Sequence, residues 1–158
     1  MKKFKLIALL MALAMLTACF ASCGEKKEKV AVNVKVTVMV DEDVAVDGNE
    51  VIFGPVEVKV EGTTDNPPTV LQAVKEAFIL NDFQYEADDL SVSSIGGFSD
   101  KVEGDYTYFW VYTINGEEPK SGRAGTIVAN ENDVIVYNFT KESTADLASA
   151  DTAGEANK

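Results

Sequence analysis

The side chains that most often do chemistry are scarce in this sequence. It has no histidine and two cysteines, Cys19 and Cys23, both near the start. A Ser-His-Asp triad, a Cys-His nucleophile and a histidine-containing zinc site are therefore outside its means. Carboxylates are plentiful, 26 Asp and Glu against 14 Lys and Arg, and two of them suffice for glycoside hydrolysis. They fall, however, in turn-like clusters: Asp41-Glu42-Asp43, Glu86 with Asp88-Asp89, and Glu131 with Asp133. Solvated turn charge is the simpler reading. Asp41-Glu42-Asp43 lacks the spaced ligands and turn glycine of a calcium loop. Gly62-Thr63-Thr64 and Ser94-Ile95-Gly96-Gly97 lack the lysine and following helix of a phosphate loop. The expectation is a protein that is not an enzyme, with no catalytic residue, no metal site and no cofactor.

What the chain does concentrate is ring area. Five of its 14 aromatic residues lie between Tyr106 and Tyr112, in YTYFWVY. Alternation places Tyr106, Tyr108, Trp110, Tyr112 and Ile114 on one face and Thr107, Phe109, Val111 and Thr113 on the other. Burying the first face requires partners for three phenols and an indole, since an unmet buried polar group costs about 1–3 kcal/mol. Phe109 and Val111 carry no such cost. They are expected to face the core, leaving the Tyr/Trp row on an open sheet face as a contact surface. A purely structural aromatic ladder is the competing reading.

The elements that position this strand are legible around it. Val30 to Val40 has valine at every second position, the period of a half-buried strand. Asp47-Gly48 then signals a hairpin, and alternation resumes through Val56, Val58 and Val60. Gly54-Pro55 interrupts that second strand, which is therefore bulged or at an edge. Thr69-Val70-Leu71-Gln72 fits a helix capping box. Val70, Leu71, Val74, Ala77 and Phe78 form one apolar stripe, ending near Asn81-Asp82. A short strand in LSVSSIGGF, closed by Gly96-Gly97, is followed by a long strand in TYFWVYTING, where Asn115-Gly116 is a turn signal, and by a last strand in DVIVYNF. The fold class is α+β: a β-grasp-like mixed sheet with one helix packed on one face.

The termini speak of location. Lys2, Lys3 and Lys5 precede an apolar run from Leu6 to Leu16, which reads as a secretory signal peptide over 1–18. Leu16-Thr17-Ala18-Cys19 resembles the bacterial lipobox, which implies acylation of Cys19, with Cys23 as the alternative. Residues 19–29 then form the acylated cysteine and a charged tether, 30–141 the folded domain, and 142–158 a disordered acidic tail. Losing three lysines with the leader moves the net charge from −12 to −15. Such a chain has no affinity for nucleic acid. Its expected place is the extracytoplasmic face of the cell membrane, held by the lipid anchor.

A wider resemblance rests on Thr69-Val70-Leu71-Gln72-Ala73-Val74, Ser94-Ile95-Gly96-Gly97, Tyr108 to Gly116, and Glu131 to Ile135. In this order the segments look like the transcobalamin-like C-terminal domain, a module of bacterial lipoproteins. The resemblance implies a module that captures cobalamin or a related corrinoid for a transporter or helical-barrel partner protein. The contacts it implies lie in the loop Asn115 to Gly122, chiefly Asn115, Gly116, Pro119 and Lys120, and these would join the row of Tyr106, Tyr108, Trp110 and Tyr112 read above from alternation. The alternative is a cell-envelope adaptor that recognises a glycan or a protein partner, with no small-molecule ligand.

Overall fold

The computed structural model describes residues 27–45, 48 and 50–147. The leader 1–18, Cys19, Cys23 and the tail beyond Leu147 lie outside them. Among the described residues, no helix is long and apolar enough to cross a membrane.

The valine-rich segment forms β1 (Lys29–Val40), with Val32, Val34, Val36, Val38 and Val40 buried and the residues between them turned outward. Each buried valine contributes about 1.5 kcal/mol, so a one-residue slip, which turns all of them to water, is strongly disfavoured. β2 (Val51–Thr63) pairs antiparallel with β1, with register shifts between Val36 and Met39 opposite the Gly54-Pro55 interruption. It is an edge strand, where proline leaves no ladder hydrogen bond unmade. The helix α1 (Val70–Leu80) begins at the expected capping box. Thr69 Oγ1 accepts from Gln72 N at 3.2 Å, and Thr69 N donates to Gln72 Oε1 at 2.9 Å. Val70 N and Leu71 N, two further orphan donors of the first turn, reach the carbonyls of Ile127 and Ala124.

Three short strands follow: β3 (Tyr85–Ala87), β4 (Val92–Ile95) and β5 (Phe98–Ser99). They form a separate three-stranded sheet in the order β3-β4-β5. Gly96 and Gly97, at φ of 58° and 88°, make the turn between β4 and β5, a backbone that only glycine adopts without cost. Then β6 (Lys101–Glu103), β7 (Tyr106–Ile114) and β8 (Val134–Ser143) complete a five-stranded sheet in the order β2-β1-β8-β7-β6. β1 and β8 run parallel and the other pairs antiparallel, so the sheet is mixed. The α+β class and the helix on one face hold. β8 continues past Lys141, pairing Glu142 with Thr107 and Ser143 with Tyr106, and a helical turn follows at 144–147. The buried apolar residues all lie between Val32 and Phe139, so the chain from Gly24 onward carries the whole described core as one folding unit.

The orientation of β7 reverses the expectation from its side chains. Trp110, Tyr112 and Ile114 pair with Phe139, Tyr137 and Ile135 of β8, which pair in turn with Val40, Val38 and Val36 of β1. Paired residues share a sheet face. The Tyr/Trp row is thus on the side of the buried valines, against which α1 packs. Phe109 and Val111, opposite Thr140 and Asn138, lie on the far side. Two effects outweigh the phenol cost. Trp110 Nε1 donates to the Phe98 carbonyl at 3.1 Å, and the rings bury far more apolar area than Phe109 and Val111 could. The phenol cost is partly incurred all the same: the buried hydroxyls of Tyr112 and Tyr137 have no hydrogen-bond partner among the described residues.

Candidate functional site

The aromatic row divides into a covered part and an open part. Tyr112 stacks on Tyr137 with ring centres 5.2 Å apart and planes 14° apart. Trp110 leans on Phe139 at 4.9 Å. These rings, with Ile114, pack on the core. Burial pushes the Tyr137 hydroxyl far above the ordinary tyrosine pKa and raises that of Tyr112 as well. Neither is an ionisable surface group at neutral pH.

Toward the start of β7 the cover ends. Tyr108 stacks on Phe139 at 6.2 Å, and Phe98 of β5 meets Phe139 at 5.5 Å. An open groove of about 500 Å³ lies here, lined by Tyr108, Phe98, Phe139, Lys101, Ser99 and Asp43 among others. Phe139 is 1% exposed and forms the floor. Phe98 and Tyr108 are half-buried walls. Tyr106 lies next along the same face and is 44% exposed.

Two ammonium groups cap these rings. Lys101 Nζ sits 4.7 Å from the centre of the Tyr108 ring, and Lys141 Nζ sits 4.3 Å from that of Tyr106, each in cation–π range. Lys101 also bonds Glu103 at 2.7 Å, which holds its pKa above the ordinary lysine value and that of Glu103 below the ordinary glutamate value. Lys141 pairs with Asp43 at 3.4 Å. Beside the groove Asp100 accepts from Trp110 N at 3.2 Å. Desolvation raises the Asp100 pKa against the lowering effect of that bond.

The expected contact residues are not brought together. Tyr106 and Tyr108 border the groove, Trp110 lies behind it and Tyr112 is in the core. Asn115, Gly116, Pro119 and Lys120 are past the other end of β7. Seven residues of extended chain separate Tyr108 from Asn115, about 23 Å. Asn115 has a structural task instead. At φ 55° it turns the chain, its Nδ2 donates to Asp133 Oδ1 at 2.8 Å, and its Oδ1 accepts from Val134 N at 2.9 Å. The groove residues that the sequence did not reveal are Phe98, Phe139, Lys101, Asp43 and Ser99, with Lys141 beside them through its pair with Asp43. Alternation in DVIVYNFTK does put Ile135, Tyr137, Phe139 and Lys141 on one face. What was missing was the register against β7.

The acidic clusters prove to be more than solvated charge. Asp88 Oδ1 accepts from Leu90 N and Ser91 N, both at 2.7 Å, and these bonds lower its pKa. Glu131 accepts from Asn33 N at 2.7 Å and from Asn33 Nδ2 at 3.1 Å, which lowers its pKa likewise. Asp41 accepts from both Asn138 and Thr140. The buried Asp133 takes Asn130 N at 2.8 Å besides Asn115. Among the described residues, no group of three or more Asp, Glu, His or Cys side chains could hold a metal ion.

Residues 68–141 match a family described as a domain of unknown function, DUF4430. No curated protein sequence matches the chain. Among solved structures, it is similar to haptocorrin in complex with Cbi, at 18% identity and a TM-score of 0.48 over 71% of this chain. The match spans 25% of the haptocorrin chain. It is also similar to a candidate metal-binding protein from Ruminococcus gnavus, at 13% identity and a TM-score of 0.42. That match covers 70% of this chain and 98% of the other.

Proposed function

We propose that this chain is a lipid-anchored, extracytoplasmic binding module that holds a ring-bearing ligand in the groove walled by Tyr108, Phe98 and Phe139. The observation that carries the reading is the groove itself: about 500 Å³ of open space over three aromatic side chains at one end of the sheet. Rigid aromatic walls with a few convergent polar groups are the usual make-up of a small-molecule site. Binding is favoured over catalysis because Asp41, Asp88, Glu131 and Asp133 are engaged in bracing turns and strands.

The topology suits an anchor at the amino terminus. The chain enters β1 at Lys29, and the groove lies beyond the other end of that strand, where Asp43 follows Val40. Twelve strand residues span about 40 Å. A lipid on Cys19 or Cys23 would attach the domain at the end of β1 remote from the groove, leaving the groove free for a transporter or another partner protein.

A corrinoid is the first ligand class to test, on the motif resemblance set out above. The Asn115–Gly122 loop is too far from Tyr108 to close over the same small ligand, so the proposed contacts narrow to the groove. A glycan is the second reading, favoured by Asp43, Ser99 and Lys101, which place hydroxyl partners beside the rings. The test is titration of the chain from Gly24 onward with cobalamin, cobinamide and envelope oligosaccharides, by calorimetry and by fluorescence of the lone tryptophan, Trp110. Saturable binding lost in Tyr108→Ala assigns the groove and its ligand class. Binding that survives Tyr108→Ala and Phe98→Ala unchanged refutes the assignment.

A further inference from the structure

We infer that the groove recognises an oxyanion, a carboxylate or a phosphate, carried on a flat apolar body. This rests on the reading of the groove as the binding site and specifies the charge of its ligand. The reason is a cross-strand row. Tyr108 lies directly opposite Lys101 of β6 on one side and opposite Lys141 of β8 on the other. The three residues therefore share one sheet face, with the lysine backbones two strand spacings apart, about 10 Å. That separation brackets one aromatic ring.

The row stands out against the chain's charge. The protein has a formal net charge of −12, whose long-range field repels anions. Any anion recognition must therefore be local, and the two lysines on either side of the half-buried Tyr108 supply it. Hydrophobic burial alone would not place them there. Phe139, one step deeper on the same face, is the floor, and Trp110 backs it from behind. A ligand lying over Tyr108 and against Phe98 would direct an anionic substituent to the ammonium groups at its rim.

Both lysines already have carboxylate partners, Glu103 and Asp43. The acids of both pairs are exposed, with side chains 66% and 60% accessible. Exposed ion pairs are screened by solvent and contribute little, so exchanging them for a ligand oxyanion costs little. The rings beneath hold the ammonium groups in place, which lowers the entropy lost on binding. The Lys141 side chain is 23% accessible, so a ligand has little left to order on that side.

A matched pair of probes tests this on the chain from Gly24 onward: the anionic 8-anilinonaphthalene-1-sulfonate and the neutral N-phenyl-1-naphthylamine. The expected result is tighter binding of the anionic probe, weakened about fivefold in K101Q and in K141Q and by rising salt, with the neutral probe unaffected by either variant. Displacement of the sulfonate probe by 1-naphthoate or 1-naphthyl phosphate supports the inference, and the stronger competitor names the oxyanion. Equal binding of both probes, lost in Tyr108→Ala but indifferent to K101Q and K141Q, overturns anion recognition and leaves the groove reading intact. Failure of both probes to bind overturns both, and so does binding indifferent to Tyr108→Ala. Circular dichroism of each variant separates lost binding from lost folding.

Discussion

Replacing Trp110 by alanine destabilises the domain, and the size of the effect follows from its contacts. A tryptophan brings about 150–250 Å² of surface, and Trp110 is half-buried against Phe139 and Tyr137. The truncation thus returns about 100 Å² of buried ring to solvent, worth about 2.5 kcal/mol. The Phe98 carbonyl loses its 3.1 Å bond from Nε1, which adds about 1 kcal/mol. Together they come to about 3.5 kcal/mol, within the range for large-to-small aromatic substitutions. With a urea slope of about 1.5 kcal/mol/M, the unfolding midpoint falls by about 2 M, followed by far-ultraviolet circular dichroism because the variant has no tryptophan. Trp110→Phe keeps most of the ring and falls by less than half as much. A midpoint shift below about 0.5 M for Trp110→Ala would mean that the indole is not packed between the two sheets, and the stated orientation of β7 would be wrong. The same arithmetic makes Trp110→Ala a poor probe of binding, because it perturbs fold and groove together; Tyr108 and Lys101 are cleaner.

Tyr137→Phe removes a buried hydroxyl that has no partner among the described residues, so it is expected to be neutral or to stabilise by about 1 kcal/mol; loss of more than 1 kcal/mol in urea melts would show that the hydroxyl is satisfied. Because the folded-state pKa of Tyr137 is raised, its contribution to stability is fully present below the unfolded value near 10. The protein loses stability as pH rises beyond that value, and Tyr137→Phe should reduce this alkaline loss. In acid the sign is opposite. Asp88 and Glu131 have lowered folded-state values, so their contribution is present above the unfolded carboxylate range and disappears as pH falls through the folded values. Melting temperature measured from pH 5 to pH 2.5 should decline less steeply in Asp88→Asn and Glu131→Gln. Asn115→Ala loses two hydrogen bonds and a side chain suited to its φ of 55°, a cost of about 2–3 kcal/mol, while ligand affinity at the groove should not change.

What the sequence determined by itself was whatever depends on near neighbours. The alternating valines specify β1 because each choice of face is made within two residues. Thr69 and Gln72 cap α1 because the donors they meet are three residues away. Gly96-Gly97 makes its turn for the same reason, and Gly54-Pro55 marks an irregular edge through its own backbone constraints. Tertiary structure alone decided which face of β7 is buried. Both faces of that strand carry apolar residues, and local cost favoured the wrong one. The decision came from β8, whose Tyr137 and Phe139 meet Tyr112 and Trp110 across a connection too long to set register by turn geometry. β3, β5 and β6 have three residues or fewer, too few for a period to show, yet β5 supplies Phe98 and β6 supplies Lys101. The groove is built from residues between 43 and 139 that meet only when a parallel pair and two antiparallel pairs are assembled. No local pattern encodes such a meeting, because the energy that selects it is ring and valine burial summed over the whole sheet.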